Sequence, residues 1–112
     1  MAEILNKVKN ADVLVLASPT YFMTMTGQMK VFIDRLLPKW QGLGGKDVYI
    51  IVTGHDRKEG LKRTADDLSD IFSYLESTVR SIIWGEGVWH KGEVIGTKAM
   101  DKAYHAGKNI ER

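Results

Sequence analysis

Apolar positions along the chain follow two patterns, one at helical spacing and one in short continuous runs. Residues 2–10 place Ile4, Leu5 and Val8 on one face, the spacing of a helix. The run Asp12-Val13-Leu14-Val15-Leu16-Ala17 is short, apolar and β-branched, which suits a strand covered on both faces. Ser18-Pro19-Thr20 is expected to end it, because Pro19 has no N–H to give to a ladder. Residues 25–37 return to helical spacing with Met29, Phe32, Ile33 and Leu36, and Pro38, Gly42, Gly44 and Gly45 mark a loop. Val48-Tyr49-Ile50-Ile51-Val52 forms a second strand, and Thr53 to Gly60 a polar loop. Residues 61–79 are helical, with Leu61, Ala65, Leu68, Ile71, Phe72, Leu75 and Val79 inward and Asp66, Asp67 and Asp70 on the solvated face. A third strand spans 80–84, a loop 85–96, and a last helix 97–110 with Ala99, Ala103, Gly107 and Ile110 inward.

Strands alternating with helices imply right-handed crossovers and a parallel sheet, an α/β domain with helices on both faces. Three strands make a small sheet against the usual ~4–6. The length of 112 residues fits a single domain, and no internal repeat or low-complexity segment is present.

Composition narrows the partners. Sixteen basic against fourteen acidic residues leave a net charge of +2, spread among acids, which gives no footprint for nucleic acid. Without cysteine, this segment can hold neither a disulfide nor a thiolate-ligated cluster. No apolar run approaches the ~20 residues of a membrane helix. The opening MAEILNKVKN lacks the apolar stretch of a signal peptide, so a cytoplasmic protein is expected. His55, His90 and His105 lack ligand spacing and acidic companions, so no metal site is expected.

Open parallel sheets bind ligands beyond the carboxyl ends of their strands. Three loops qualify here: 18–25, 53–60 and 85–96. The first holds Ser18, Pro19, Thr20, Tyr21 and Phe22, the second Thr53, Gly54 and His55, and the third Gly85, Gly87, Trp89 and His90. Aromatics beside glycines and hydroxyls suit a flat conjugated ligand, which stacks on ring faces while backbone N–H groups reach its polar atoms.

The segment Ala11-Asp12-Val13-Leu14-Val15-Leu16-Ala17-Ser18-Pro19-Thr20-Tyr21-Phe22, followed by Gly27-Gln28-Met29-Lys30-Val31-Phe32-Ile33-Asp34-Arg35, resembles the NAD(P)H-dependent FMN reductase family. That family includes flavodoxin-like quinone reductases and iron–sulfur flavoproteins. Gly45-Lys46 before a strand ending in Thr53-Gly54 is similar, as are Trp89-His90-Lys91-Gly92-Glu93 and Ala103-Tyr104-His105-Ala106-Gly107-Lys108. The resemblance covers nearly all of the chain but only the C-terminal part of the family's usual fold. It implies a flavodoxin-like three-layer α/β/α domain over residues 1–112 that lacks the first strand and its Ser/Thr-rich phosphate loop. Met23 and Met25 depart from the pattern, standing where the family often has small residues.

The resemblance implies an oxidoreductase with non-covalent FMN, NAD(P)H as electron donor and a small-molecule acceptor. Ser18, Pro19, Thr20, Tyr21, Phe22, Thr53, Gly54 and His55 would bind the flavin, with backbone N–H groups of 19–22 and 53–55 at the polar edge of the ring. No side chain is assigned a catalytic role, since hydride chemistry belongs to the flavin. The phosphate site is absent from this chain, which predicts weak FMN affinity. The bland readings stand beside these. His55 reads as a hydrogen-bonding loop residue, Trp84 and Trp89 as core or interface aromatics, and Asp34 with Arg35 as a structural pair. Gly42-Leu43-Gly44-Gly45-Lys46 precedes a strand rather than a helix, so it cannot cradle phosphate as a P-loop does. The alternative function is a non-catalytic flavodoxin-like module that assembles with itself or a partner chain and binds no FMN. In the flavodoxin-like order the strand at 12–17 is central. Its open edge here predicts a homo-oligomer or a completing chain.

Overall fold

A computed structural model describes residues 1–110. The elements are α1 (Ala2–Asn10), β1 (Val13–Pro19), α2 (Gly27–Asp34), a short 3-10 helix (Leu37–Gly42), β2 (Asp47–Thr53), α3 (Lys58–Tyr74), β3 (Thr78–Gly85) and α4 (Lys98–Lys108). The three strands form one sheet in the order β1-β2-β3, and both pairings are parallel. The expected α/β sheet is therefore observed.

The even-numbered residues of β1 and β2 face one core. Leu16, Val48, Ile50 and Val52 pack there with Val8 of α1, Ile33 of α2, and Leu61, Ala65, Leu68 and Phe72 of α3. Burying each large side chain of this set contributes roughly 1.5–3 kcal/mol. On the opposite face α4 packs along β3, where Ile83 is buried outside that cluster. Helices thus flank both faces. The cover is uneven, however, and Val15 of β1 remains 57% exposed.

Several boundaries move from their sequence positions, each for a local reason. β1 continues through Ser18 and Pro19, with Pro19 opposite Thr53. Along a parallel strand, a residue's N–H and C=O point to the same side, and the side alternates. The carbonyl of Asp12 and the N–H of Thr20 both bond β2, so odd-numbered positions turn to the open edge. Pro19 falls on that side, where a missing N–H costs the ladder nothing. α2 begins at Gly27 because the Thr26 side chain accepts the N–H of Met29 as its N-cap. It ends at Asp34, and a 3-10 turn replaces the loop expected around Pro38.

α3 runs from Lys58 to Tyr74 rather than to 79. Its end is a Schellman arrangement: Ser77 N–H bonds the carbonyl of Phe72, and Glu76 N–H that of Ser73. Glu76 holds the left-handed position at φ 66° that glycine usually takes. β3 therefore starts at Thr78, and Arg80 bulges out between Val79 opposite Val48 and Ser81 opposite Tyr49. In α4, Gly107 is exposed instead of inward, and Ala106 takes the half-buried position.

The loop before β2 has a structural task. Lys46 is 5% exposed, and its Nζ donates to the carbonyls of Lys9 and Ala11 at 2.8 and 2.7 Å. A cation at the last carbonyls of α1 satisfies orphan acceptors and the helix dipole together. The lysine that superficially completes a phosphate loop thus fastens α1 to the foot of β2.

Glu76 offers a clean test of the helix end. A non-glycine residue in the left-handed region costs roughly 1–2 kcal/mol. Glu76→Gly is expected to raise unfolding stability by about 1 kcal/mol, read as a higher urea midpoint at unchanged slope. An unchanged or lower midpoint would contradict the assignment of strain to this residue.

Candidate functional site

Sheet register builds the site. Pro19, Thr53 and Gly85 lie side by side across the three strands at their carboxyl ends. The first residues beyond them are cross-linked. Thr20 N–H donates to Thr53 O at 2.8 Å, Gly54 N–H to Gly85 O at 3.2 Å, and Val88 N–H to Gly54 O at 2.9 Å. Gly54 is required by packing, since a Cβ there would meet Cδ2 of the buried Leu61 at 2.5 Å.

After Thr20 the chain makes a tight two-residue turn. Tyr21 N–H donates to Thr24 O at 2.9 Å, leaving Phe22 and Met23 at the tip with φ of 46° and 82°. Such paired positive φ values normally call for Asn-Gly. The strain is held by two hydroxyl contacts to α3. Thr20 Oγ1 and the buried Thr64 Oγ1 lie 2.8 Å apart, and Thr24 Oγ1 donates to Asp67 Oδ2 at 2.6 Å. The tip projects Phe22 into solvent at full exposure, with Tyr21 and Met23 exposed beside it.

The three loops enclose an open cleft of about 670 Å³. Pro19, Thr20, Tyr21, Phe22, Thr53, Gly54 and His55 all line it. Ser18 does not. It is 3% exposed, donates from Oγ to Pro19 O at 2.8 Å and accepts Thr26 N–H at 3.1 Å, so it braces the base of the turn. The third loop supplies the far wall through Val88, Trp89, His90, Lys91, Gly92 and Val94. Trp89 is the wall residue that an expected core or interface role underestimates. It is exposed, and its indole stands edge-on to His55, ring centroids 5.2 Å apart. The signal for it was its place after the carboxyl end of β3, which carries as much weight as the other two strand ends. Trp84 is half-buried beneath Lys58, whose Nζ lies 4.9 Å from the ring centre.

The backbone donors differ from the sequence expectation. Of the N–H groups in 19–22 and 53–55, Pro19 has none, and those of Thr20, Tyr21 and Gly54 are spent inside the protein. The N–H groups of Phe22 and His55 have no protein acceptor among the described residues. They are the donors left for a ligand. Lys91 places a positive charge on the far wall, and the imidazoles of His90 beside it and of His55 from the β2 loop also line the cleft. The one shifted group nearby is Glu93. The N–H of Trp89 bonded to it, then the His90 backbone and the His90 and His55 imidazoles, hold its carboxyl below the ordinary value.

The sequence profile of the NADPH-dependent FMN reductases matches residues 1–90. The chain belongs to that family. An iron-sulfur flavoprotein of Archaeoglobus fulgidus is 50% identical over 38 residues, 34% of this chain and 17% of that protein. Another iron-sulfur flavoprotein, from Methanocaldococcus jannaschii, is 35% identical over 72 residues, 62% of this chain and 37% of that protein. The chain thus spans less than half the length of these two curated relatives. Among solved structures, the Trp repressor binding protein from Bacillus subtilis superposes with a TM-score of 0.82 at 24% identity. That match covers 98% of this chain and 77% of the other, and it shows the shared fold. No helix of the described residues is long and apolar enough to cross a membrane.

The strained tip yields a prediction. Met23→Gly removes the left-handed penalty of a side chain at φ 82°. It is expected to raise stability by about 1 kcal/mol. A lower thermal midpoint would show that the Met23 side chain holds the turn by contacts.

Proposed function

We propose that this chain forms the flavin-ring side of an FMN-dependent oxidoreductase that takes hydride from a nicotinamide and passes electrons to a small-molecule acceptor. One observation carries the reading: an aromatic-bearing loop, 19–22, and a glycine-bearing loop, 53–55, stand side by side on the carboxyl edge of a parallel sheet, in a cleft walled by Trp89. The cleft fits the group. Tyr21, Phe22 and Trp89 offer faces and edges for a flat ring, and the free N–H groups of Phe22 and His55 can bond its polar atoms. The flavin supplies the hydride chemistry, and the chain's residues bind and orient it and restrict water. Family membership and the flavoprotein relatives support the cofactor.

The cleft residues supply no row of free N–H groups to cradle the phosphate: those of Thr20, Tyr21, Gly54 and Val88 are spent inside the protein, and among the described residues Lys91 is the one lysine or arginine on the lining. Two or three charge-assisted hydrogen bonds from a phosphate nest would contribute about 3–9 kcal/mol. Ring contacts alone therefore set a micromolar or weaker affinity, with FMN and riboflavin binding alike. Titration of both into the 112-residue chain, followed by flavin fluorescence, tests this. Tyr21→Ala is expected to weaken both about fivefold, because an aromatic contact is worth about 1 kcal/mol. Nanomolar FMN affinity would reveal an anion site outside the described contacts. No binding of either flavin would favour the non-catalytic module instead.

We propose in addition that a second copy of the chain covers the open edge of β1. Val13, Val15 and Ala17 direct their N–H and C=O groups away from β2, and Val15 is exposed beside them. No charged side chain interrupts Val13–Pro19, so the edge lacks the usual protection against pairing. Light scattering at micromolar concentration is expected to report a dimer or larger. A monodisperse monomer that melts cooperatively would overturn this.

A further inference from the structure

The segment after β3 makes the outer wall of the cleft, yet its hold on the scaffold is slight. Its inner end is tied down, with Gly87 N–H on Asp56 O at 3.0 Å and Val88 N–H on Gly54 O at 2.9 Å. From Trp89 to Thr97, every hydrogen bond found among the described residues stays within the segment or its continuation into α4. Single turns follow one another: Glu93 N–H bonds His90 O, Ile95 N–H bonds Gly92 O, and Thr97 N–H bonds Val94 O. Gly87, Gly92 and Gly96 sit at positive φ along it. No large side chain of the segment is buried, and Trp89 is 71% exposed. Packing therefore does not explain why the indole stands against His55.

One side chain does. The Glu93 carboxylate accepts the N–H of Trp89 at 3.0 Å, while the Glu93 N–H donates to His90 O at 3.2 Å. The two bonds run in opposite directions and close residues 89–93 into a ring. Trp89 follows Val88, whose N–H is already fixed on Gly54. Fixing the next peptide plane leaves the indole little freedom except its own χ angles. The geometry points to Glu93 as a positioning residue: by closing the 89–93 turn on the N–H of Trp89, it holds the indole edge-on to His55 and sets the outer wall of the flavin cleft. Its effect on flavin rests on the function proposed above, whereas the closure of the turn does not.

The chemistry favours a carboxylate over a neutral acceptor. A charged acceptor makes a stronger bond to a backbone N–H, and this carboxyl is held below its ordinary value chiefly by that bond. The sign follows from the direction of the shift. The closure is fully present above the ordinary glutamate value and is lost as pH falls through the lowered one. His90 and His55 are the titratable groups of opposite sign that face Glu93, and both favour its ionised form.

The test uses the full chain and two variants, Glu93→Ala, which removes the acceptor, and Glu93→Gln, which keeps a neutral one. Amide hydrogen exchange at Trp89, corrected for its intrinsic rate and referred to Val88, reads the closure directly. In Glu93→Ala it is expected to rise about fivefold, a charge-assisted bond discounted for solvent screening. Riboflavin affinity is expected to fall several-fold in the same variant. Glu93→Gln is expected to recover most of both effects, and to lose the acid-dependent opening that the parent shows. Unchanged exchange at Trp89 in Glu93→Ala would overturn the closure. Faster exchange with riboflavin affinity equal to the parent would overturn the positioning role. A parent chain that binds no riboflavin would remove the flavin reading alone, and the exchange ratio would still decide the closure.

Discussion

The structure depends on one row of the sheet, Pro19–Thr53–Gly85, aligned across three parallel strands. A parallel sheet sends every strand's carboxyl end to the same edge, and register decides which residues emerge there together. A slip of one residue would turn the buried even-numbered set of β1 toward solvent, so the apolar pattern locks the row. Once locked, it sets Thr20 against Thr53 and Gly54 against Gly85 by backbone bonds. The candidate site is the continuation of the sheet by one residue beyond its last paired row.

From that row outward, the means of support change. The β1 loop is pinned from the side by α3, through Thr64 and Asp67, and from beneath by Ser18. These bonds hold Phe22 and Met23 in a conformation that their own chemistry disfavours. Strain of this kind persists only where surroundings over-determine it. Here the surroundings are a buried hydroxyl and a carboxylate on a helix that packs into the core. The tip is therefore as rigid as α3 is well packed. The β3 loop is tied to the scaffold only as far as Val88, and beyond it the hydrogen bonds found among the described residues lie within the loop or its continuation into α4.

Much of the fold is legible in the sequence because burial writes strong periodicities. The strands at 12–17 and 48–52 and the helix through Phe72 follow from apolar spacing alone. What escapes is decided by one residue in an unusual role. The end of α3 is invisible because Glu76, rather than glycine, takes the left-handed position. Pro19 reads as a stop, yet alternation places it where no donor is needed. The bulge at Arg80 leaves no apolar signature. In the site, Pro19, Thr20, Tyr21, Phe22, Thr53, Gly54 and His55 line the cleft and Ser18 lies beneath it, a distinction the sequence hides because a hydroxyl beside a ligand loop looks the same as one below it. Which N–H groups are free cannot be read from composition, since those of Thr20 and Gly54 are taken by partners on the neighbouring strands, far along the chain.

The distribution of free donors bears on what the cleft can recognise. Most N–H groups near the row are committed to holding the three loops together, so rigidity and recognition draw on the same limited set. The two that remain, on Phe22 and His55, belong to different loops. A ligand bonding both would bridge the β1 and β2 loops, adding a link that the protein lacks. Neither donor is positioned by the third loop, which lines the cleft with an indole, an imidazole and an amine instead. Under the proposed function, the sheet would fix the polar edge of a flat ring, and the third loop would meet its other face. An electron donor or acceptor would approach at that face, where the wall beyond Val88 is held by bonds within its own segment rather than by the sheet.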